Sequence, residues 1–177
     1  MSCGSASPLD QDAPVTIRRA TSDDVPALVA LNAEVQAMHA DHEPHIYRLP
    51  GPDFLTAVAS WFLDLLARED TKVLICQERE TAVGYACCWI KDRPPTVYHR
   101  PLKRIHVDQF GVAASHRRRG YGRALLNAIL DLARAEGASL VTLEVRAFNE
   151  GARAFYAQHG FQVTGYDMAV EVPPVGI

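Results

Sequence analysis

Long apolar runs, paired cysteines and a large excess of charge of one sign are all missing from this sequence, and each absence excludes a class of protein. No apolar run approaches the length that a membrane span needs. The four cysteines include no CxxC pair, so we expect neither disulfides nor redox or metal roles for them. The net charge of −3 argues against a protein whose main activity is to coat nucleic acid.

Two common nucleotide-binding motifs are also absent. A dinucleotide-binding fold would place a third glycine three residues after Gly122, where this chain has Leu125. The Gly-Lys-Ser/Thr sequence of a nucleoside-triphosphate loop occurs nowhere. Any phosphate site in this chain must therefore be of another kind.

The length and composition suit one globular domain with a hydrophobic core. The chain has 177 residues, of which 48% are hydrophobic and 22% are charged. Residues 1–14 are small and polar, so we expect a flexible arm there and a single domain over residues 15–177. The arm has neither a basic n-region nor an apolar h-region, which predicts a soluble, cytoplasmic protein with no membrane partner.

The most informative segment covers residues 108–123, DQFGVAASHRRRGYGR, which is typical of a strand followed by a glycine-rich turn that opens a helix. The turn contains Arg117-x-x-Gly120-x-Gly122, and apolar residues recur at helical spacing from Ala124 towards Gly137. The first N–H groups of a helix have no partner within it and carry the positive end of its dipole, so they suit a phosphate. The segment predicts a pyrophosphate site. The plainer alternative is that the glycines relax a turn and the arginines face solvent.

The remaining periodicities predict a mixed α/β fold. Helices are expected from residue 25 to 35, from 54 to 65, after Gly120, and from 149 to 159. Strands are expected over residues 16–20, 72–77, 82–90, 104–112, 140–145, 161–163 and 167–172.

Several residues in fixed order resemble the GNAT superfamily of N-acetyltransferases. They are Val112, Arg117, Gly120, Gly122, the strand over residues 140–145, Asn149, Ala152, Tyr156, Gly160 and Phe161. The resemblance implies the GNAT acyl-CoA N-acyltransferase fold, an α/β (α+β) architecture. Its mixed sheet would have about six to seven strands, flanked by about four helices and splayed between strands four and five.

In that fold acetyl-CoA lies in the gap between the splayed strands and pairs with the edge of strand four. The resemblance assigns acetyl-CoA to a set of residues on strand four, the glycine turn and the last helix. They are Phe110, Gly111, Val112, Arg117, Arg118, Arg119, Gly120, Tyr121, Gly122, Arg123, Asn149 and Phe155. Asn149 is equally explained as a helix N-cap.

The resemblance also implies the catalytic residues. Tyr156 would protonate the departing CoA thiolate, although a packing role on its helix is the alternative. An amine with a pKa near ~10.4 must lose a proton before it attacks, so a base is needed. Strand alternation predicts His106, Asp108 and Phe110 on one face, which makes Asp108 or His106 the candidate base, acting through water. The choice between them stays open.

The segment between the first two helices holds the candidate acceptor contacts. The spacing of His39, His42 and His45 could suggest a metal, but Pro44 interrupts it and no carboxylate or cysteine completes a familiar pattern, so no metal is expected. By the resemblance this segment forms a wall of the acceptor pocket. Its candidate contacts are Asp41, His42, His45, Tyr47 and Arg48.

The sequence thus predicts an enzyme that moves the acetyl group of acetyl-CoA to a primary amine by direct attack in a ternary complex. The acceptor stays open among small amines, aminoglycoside-like amines and protein amines. Two other functions stay open, a non-catalytic acyl-CoA sensor and a nucleic-acid-binding protein that uses residues 116–123. We also expect a homodimer, in which a strand over residues 167–172 and its tail, residues 173–177, pair or pack across a two-fold axis.

Overall fold

The computed structural model of the chain describes residues 15–170 and residue 172. The chain divides into two compact units, Met1–Glu144 and Val145–Ile177, and each is described by itself. The described part of the first unit contains β1 (Val15–Arg19), α1 (Val25–His42), α2 (Pro52–Ala67), β2 (Thr71–Glu78), β3 (Thr81–Arg93), β4 (Leu102–Val112), α3 (Tyr121–Ala135) and β5 (Leu140–Leu143), with short 3₁₀ helices at Ser22–Asp24 and Ala114–His116. The second unit contains α4 (Glu150–Gln158). The predicted α/β class and order of these elements are confirmed.

A capping box and an ion pair fix the short 3₁₀ helix Ser22–Asp24, which leads into α1. The Thr21 amide donates to Asp24 Oδ2 at 2.8 Å, and the Asp24 amide donates to the Thr21 carbonyl oxygen at 3.1 Å. Arg18 on β1 donates to both Asp24 carboxylate oxygens at 2.7 Å. Because this guanidinium stabilises the charged form, the pKa of Asp24 falls to about 2.

The sheet has the order β1-β2-β3-β4-β5, and each of its two faces is covered by helices. Neighbouring strands from β1 to β4 are antiparallel, while β4 and β5 are parallel and are joined through α3. One face buries Tyr85 and Val73 with apolar residues of α1 and α2. The other face buries Cys88 and Ile105 with apolar residues of α3. The buried cysteines therefore serve as small apolar side chains.

An extra residue interrupts the pairing of β4 with β3. Val107 and Gln109 pair with the consecutive residues Cys88 and Cys87, so Asp108 has no partner of its own on β3. This is a β-bulge, which bends a strand and changes which face its later side chains occupy.

The predicted strands over residues 161–163 and 167–172 are wrong for the described positions. Residues 161–170 and residue 172 have no regular secondary structure, while residue 171 lies outside the described residues. Val163, Met168 and Val170 are 72%, 89% and 86% exposed, so the alternating apolar pattern buries no face. The described sheet accordingly has five strands. The predicted arm over residues 1–14 lies outside the described residues.

Candidate functional site

The glycine-rich segment forms a tight turn between β4 and α3, called here the anion turn and comprising residues 113–123. Ala113 leaves β4 with its amide bonded to the Val83 carbonyl at 2.9 Å. Two residues of the turn then adopt left-handed backbone, Arg118 at φ 65° and Gly120 at φ 91°. A positive φ is uncommon for a residue with a side chain, and such strain persists where the surroundings enforce it.

The anion turn presents the start of α3 to open space. The first helical bond runs from the Ala124 amide to the Gly120 carbonyl at 3.0 Å, so the amides of residues 121–123 precede the hydrogen-bonded ladder. A Cβ added to Gly120 would have no heavy atom within 4 Å. These amides and the helix dipole suit a phosphate that approaches the main chain closely.

Glu78 at the end of β2 anchors the anion turn. It accepts a bond from Arg119 at 2.8 Å, another from the Tyr121 hydroxyl, and lies 3.6 Å from His116 Nε2. The bond from Tyr121 is the largest cause that lowers the pKa of Glu78. Arg119 and Tyr121 therefore hold the turn.

The other arginines of the turn are placed differently. Arg117 Nε donates to the Val112 carbonyl at 3.2 Å and ties the turn to β4. Arg118 and Arg123 are exposed and make no ion pair with any described residue. Their charges can therefore neutralise a bound anion.

The end of β4 next to the anion turn has an open edge. β5 pairs with β4 only from Arg104 to Val107, whereas β3 pairs with β4 up to Val112. Among the described residues no strand pairs with residues 108–112 on the β5 side. Backbone groups in a strand point alternately to its two edges, so this segment offers N–H and C=O groups to a ligand that contains amides.

A cleft of about 440 Å³ lies on the α2 side of the sheet, called here the tryptophan cleft. It is lined by Trp61, Trp89, Lys91, Arg104, His106, Asp108 and Glu144. His106 Nδ1 lies 3.1 Å from Thr142 Oγ1 on β5, which orients the imidazole. The two candidate bases predicted from the sequence, His106 and Asp108, therefore line one cleft.

Phe110 does not share the face of these two residues, so that part of the prediction is wrong. It packs with the buried residues beneath α3. The bulge at Asp108 is the reason, because one extra residue reverses the alternation of every later side chain on β4.

Aromatic and basic groups surround the mouth of the cleft. The Lys91 ammonium lies 4.5 Å from the centroid of Trp89, and the Arg68 guanidinium lies 4.9 Å from it. Arg68 is itself held by Asp70 through bonds of 2.9 and 2.8 Å. The orientation of Trp89 is thus fixed by charged neighbours.

The predicted acceptor contacts lie at the end of α1 and in the turn that follows. Asp41 and His42 belong to the last turn of α1, and His42 Nδ1 lies 2.8 Å from the Met38 carbonyl. The Tyr47 ring contacts His39 at 4.9 Å, and the Arg48 carbonyl accepts a bond from Gln36 at 2.7 Å. Neither these residues nor His45 line the tryptophan cleft. Their assignment to the acceptor stays a prediction.

In the second unit, α4 positions Tyr156. Asn149 caps the helix by accepting a bond from the Ala152 amide at 3.1 Å, as its residue type suggested. Tyr156 is buried, its ring lies 5.2 Å from Phe155 and 5.4 Å from Phe161, and burial raises the pKa of its phenol. The phenol therefore keeps its proton at neutral pH.

Residues 15–170 and 172 contain neither a metal-binding group nor a membrane-spanning helix. No three His, Cys, Asp or Glu side chains in this part of the chain are grouped to hold a metal ion. None of its helices is both long and apolar enough to cross a membrane.

Comparison with known families decides the identity of the fold. The model of the Acetyltransferase (GNAT) family matches residues 35–161, which include β4, the anion turn and α4. The chain belongs to the GNAT family. The predicted family and fold are thereby confirmed.

Relatives of this GNAT protein include curated sequences and solved structures. An uncharacterized N-acetyltransferase of Methanocaldococcus jannaschii is 31% identical over 59% of this chain and 45% of its own length. N-alpha-acetyltransferase 50 of Danio rerio is 31% identical over 48% of this chain and 47% of its own length. The chain thus spans about half the length of these curated relatives.

The solved structures match over greater lengths. A tetramutant of the BH1408 protein from Bacillus halodurans has a TM-score of 0.84 and 26% identity, covering 89% of this chain and 99% of its own. Aminoglycoside N-acetyltransferase AAC(6')-Iy in complex with CoA has a TM-score of 0.73 and 14% identity, covering 93% and 99%. The second likeness shows the shared GNAT fold alone.

Sequence reasoning missed two parts of the site in this GNAT protein. Glu144 lines the cleft because it lies two residues after Thr142, the register partner of His106. The alternation of side chains along β5 would have indicated Glu144 if the pairing of β5 with β4 had been known. Trp61 and Trp89 reach the cleft from different elements, and no local pattern connects them.

Proposed function

We propose that this protein is an acetyl-CoA-dependent N-acetyltransferase that acts on a primary amine by direct attack in a ternary complex. The observation that carries the proposal is the open edge of β4, which leads directly into the anion turn. Acetyl-CoA has the complementary sequence of groups, with amides in its pantetheine arm and a pyrophosphate beyond it. The CoA and acetyl-CoA complexes of structurally similar proteins support this assignment.

The cofactor residues follow from this fit. Backbone groups of Phe110, Gly111 and Val112 bond the pantetheine amides, and the amides of residues 121–123 bind the pyrophosphate. Arg118 and Arg123 add charge that no described ion pair neutralises. Arg117 and Arg119 shape the turn through Val112 and Glu78.

The nucleophile loses its proton in the tryptophan cleft. Asp108, His106 or Glu144 accepts a proton from the ammonium directly or through one water, because each lines that cleft. The neutral amine then attacks the thioester carbonyl carbon and forms a C–N bond. An N–H group on the open edge of β4, near Val112, stabilises the resulting oxyanion.

The intermediate collapses with cleavage of the C–S bond. Tyr156 donates its phenolic proton to the departing CoA thiolate, and the acetylated nitrogen loses its remaining extra proton to solvent. Solvent then returns a proton to the Tyr156 phenolate and takes the proton held by the base, so the net products are the acetamide, CoA with a free thiol and one proton. Burial raises the pKa of the Tyr156 phenol and makes it a weaker acid, so it donates its proton only as negative charge develops on the departing sulfur.

Release of the CoA thiol in the presence of a broad amine panel tests the proposal. Among Asp108→Asn, His106→Gln and Glu144→Gln, the variant that removes the base should lose the acidic limb of the pH–rate profile. Asp131→Asn is a matched control, because Asp131 is an exposed partner of Arg134 on α3. Binding of acetyl-CoA without thiol release from any amine would favour the sensor function instead.

The homodimer and the cytoplasmic location stay predictions. Because residues 167–170 and 172 form no strand, the expected pairing across a two-fold axis has lost its basis. The tail over residues 173–177, which was expected to contribute, lies outside the described residues, and sedimentation at micromolar concentration tests the homodimer.

A further inference from the structure

The tryptophan cleft carries opposite charges at its two ends. Arg104 is the first residue of β4 that pairs with β5, and it is also the register partner of Lys91 on β3. Asp108 and Glu144 directly follow Val107 and Leu143, the last pair between these strands. All four charged residues line the cleft. A pair of cations and a pair of carboxylates therefore lie at opposite ends of the β4–β5 pairing.

None of these four charges is held in a close ion pair with another described residue. None of them makes an ion pair within 4.0 Å in the part of the chain that the structure describes. The Lys91 ammonium lies over Trp89, and the nearby Asp70 is bonded to Arg68 through both carboxylate oxygens. The charged groups of the cleft remain available to a ligand that carries both signs.

The size of the cleft favours a small molecule. A volume of about 440 Å³ lies within the range of about 300–1,000 Å³ that is common for small-molecule sites. The rings of Trp61 and Trp89 supply apolar contact between the charged groups. A flexible aliphatic chain with a charge at each end would match this lining.

We infer that the acceptor is a small amine that carries a carboxylate several bonds away from its nitrogen. This inference rests on the proposed N-acetyltransferase function. The ammonium faces Asp108 and Glu144, where it is deprotonated, and the carboxylate faces Arg104 and Lys91. Asp108 lies four residues after Arg104 on β4, which corresponds to roughly 13 Å of strand at about 3.3 Å per residue. The distance between the charged groups is shorter, because the side chains at both ends reach towards a ligand between them. An ω-amino acid spans it better than an α-amino acid.

Binding can be measured without turnover, because Trp61 and Trp89 are the two tryptophans of the chain and both line the cleft. Intrinsic fluorescence therefore reports occupancy of this cleft. The probes are 6-aminohexanoate, hexylamine, which lacks the carboxylate, and 1,6-diaminohexane, which replaces it with a second cation. We expect 6-aminohexanoate to bind at least about tenfold more tightly than either, the lower end for a charge-assisted bond.

Variants identify the groups responsible. The selectivity is the Kd of hexylamine divided by the Kd of 6-aminohexanoate. Arg104→Met and Lys91→Met should each lower this ratio towards one, by up to about tenfold. Arg104→Glu should reverse the preference in favour of 1,6-diaminohexane. Arg134→Met removes an exposed cation of α3 outside the cleft and should keep the wild-type ratio. Melting temperatures check that each variant is folded.

The outcomes separate this inference from the proposed function. The inference would be overturned if the wild type bound 6-aminohexanoate no more tightly than hexylamine or 1,6-diaminohexane. This holds even if CoA thiol is released with amines that lack a carboxylate. Selective binding that survives both Arg104→Met and Lys91→Met would also overturn it. Selective binding that these variants abolish would support it, and an absence of thiol release with every amine would then count against catalysis alone.

Discussion

Replacing Gly120 by Asp and by Asn separates the charge of the anion turn from its backbone conformation. Gly120 has φ 91°, and a Cβ there meets no heavy atom within 4 Å. Both substitutions therefore share a conformational cost of at most about 1–2 kcal/mol, and Asn tolerates this region comparatively well. Asp and Asn have nearly the same shape, so the difference between the two variants isolates one negative charge.

The size of the effect follows from Coulomb's law. At about 5 Å in a water-like dielectric, one pair of like charges costs about 0.8 kcal/mol, so a diphosphate with two charges costs about 1.7 kcal/mol. At low ionic strength the Kd for acetyl-CoA should then be about 18-fold higher for Gly120→Asp than for Gly120→Asn. A lower effective dielectric would increase this ratio, and salt near 1 M should reduce it.

Calorimetric titration with acetyl-CoA measures the two constants, and thermal unfolding provides the control for folding. An acidic residue at a helix N-terminus is favourable by about 0.3–1 kcal/mol, so Gly120→Asp should melt no lower than Gly120→Asn. Equal acetyl-CoA affinity in the two folded variants would refute the assignment of pyrophosphate to this turn.

Three further predictions concern chemistry, acid stability and packing. Tyr156→Phe should lower kcat by about 10²–10⁴-fold in steady-state assays with nearly constant acetyl-CoA affinity, and full kcat would show that another group protonates CoA. Asp24→Asn should lower the free energy of unfolding at neutral pH by about 2 kcal/mol, because Arg18 holds the pKa of Asp24 at about 2 instead of 3.8. In urea unfolding this deficit should vanish as the pH falls from near 4 through about 2, and a pH-independent deficit would contradict it. Gly111→Ala should lower the free energy of thermal unfolding by about 1–3 kcal/mol, since its Cβ would lie 2.8 and 2.9 Å from two side-chain atoms. Gly165→Ala, which meets nothing within 4 Å, should change it by less than about 0.5 kcal/mol, and equal losses would refute the packing argument.

The sequence was sufficient to predict those elements whose apolar periodicity matches a buried face. Leu125 and Ile129, one helical turn apart on α3, are both fully buried, as their spacing indicated. The same argument failed for residues 163–170, where the apolar side chains of Val163, Met168 and Val170 stay exposed. Periodicity shows that a segment could cover a core, but a strand also needs a partner, and the partner is set by tertiary structure.

The composition of the candidate site was predictable where one segment supplies it. The anion turn follows a strand, contains its own glycines and opens its own helix, so its chemistry is local. The tryptophan cleft draws Trp61 from α2, Trp89 from β3 and Glu144 from beyond β5. Such a set is defined only by strand order and register, which the sequence pattern did not specify.

The bulge at Asp108 connects these two parts of the site. A regular strand would carry the alternation of His106 through to Phe110, and it would direct the Phe110 ring into the cleft. The extra residue instead leaves His106 and Asp108 in the cleft and sends Phe110 to the apolar side beneath α3. It also falls where β5 stops pairing with β4, just before the open backbone edge. One inserted residue therefore lets the same strand supply polar side chains to an amine on its face and backbone groups to a ligand on its edge.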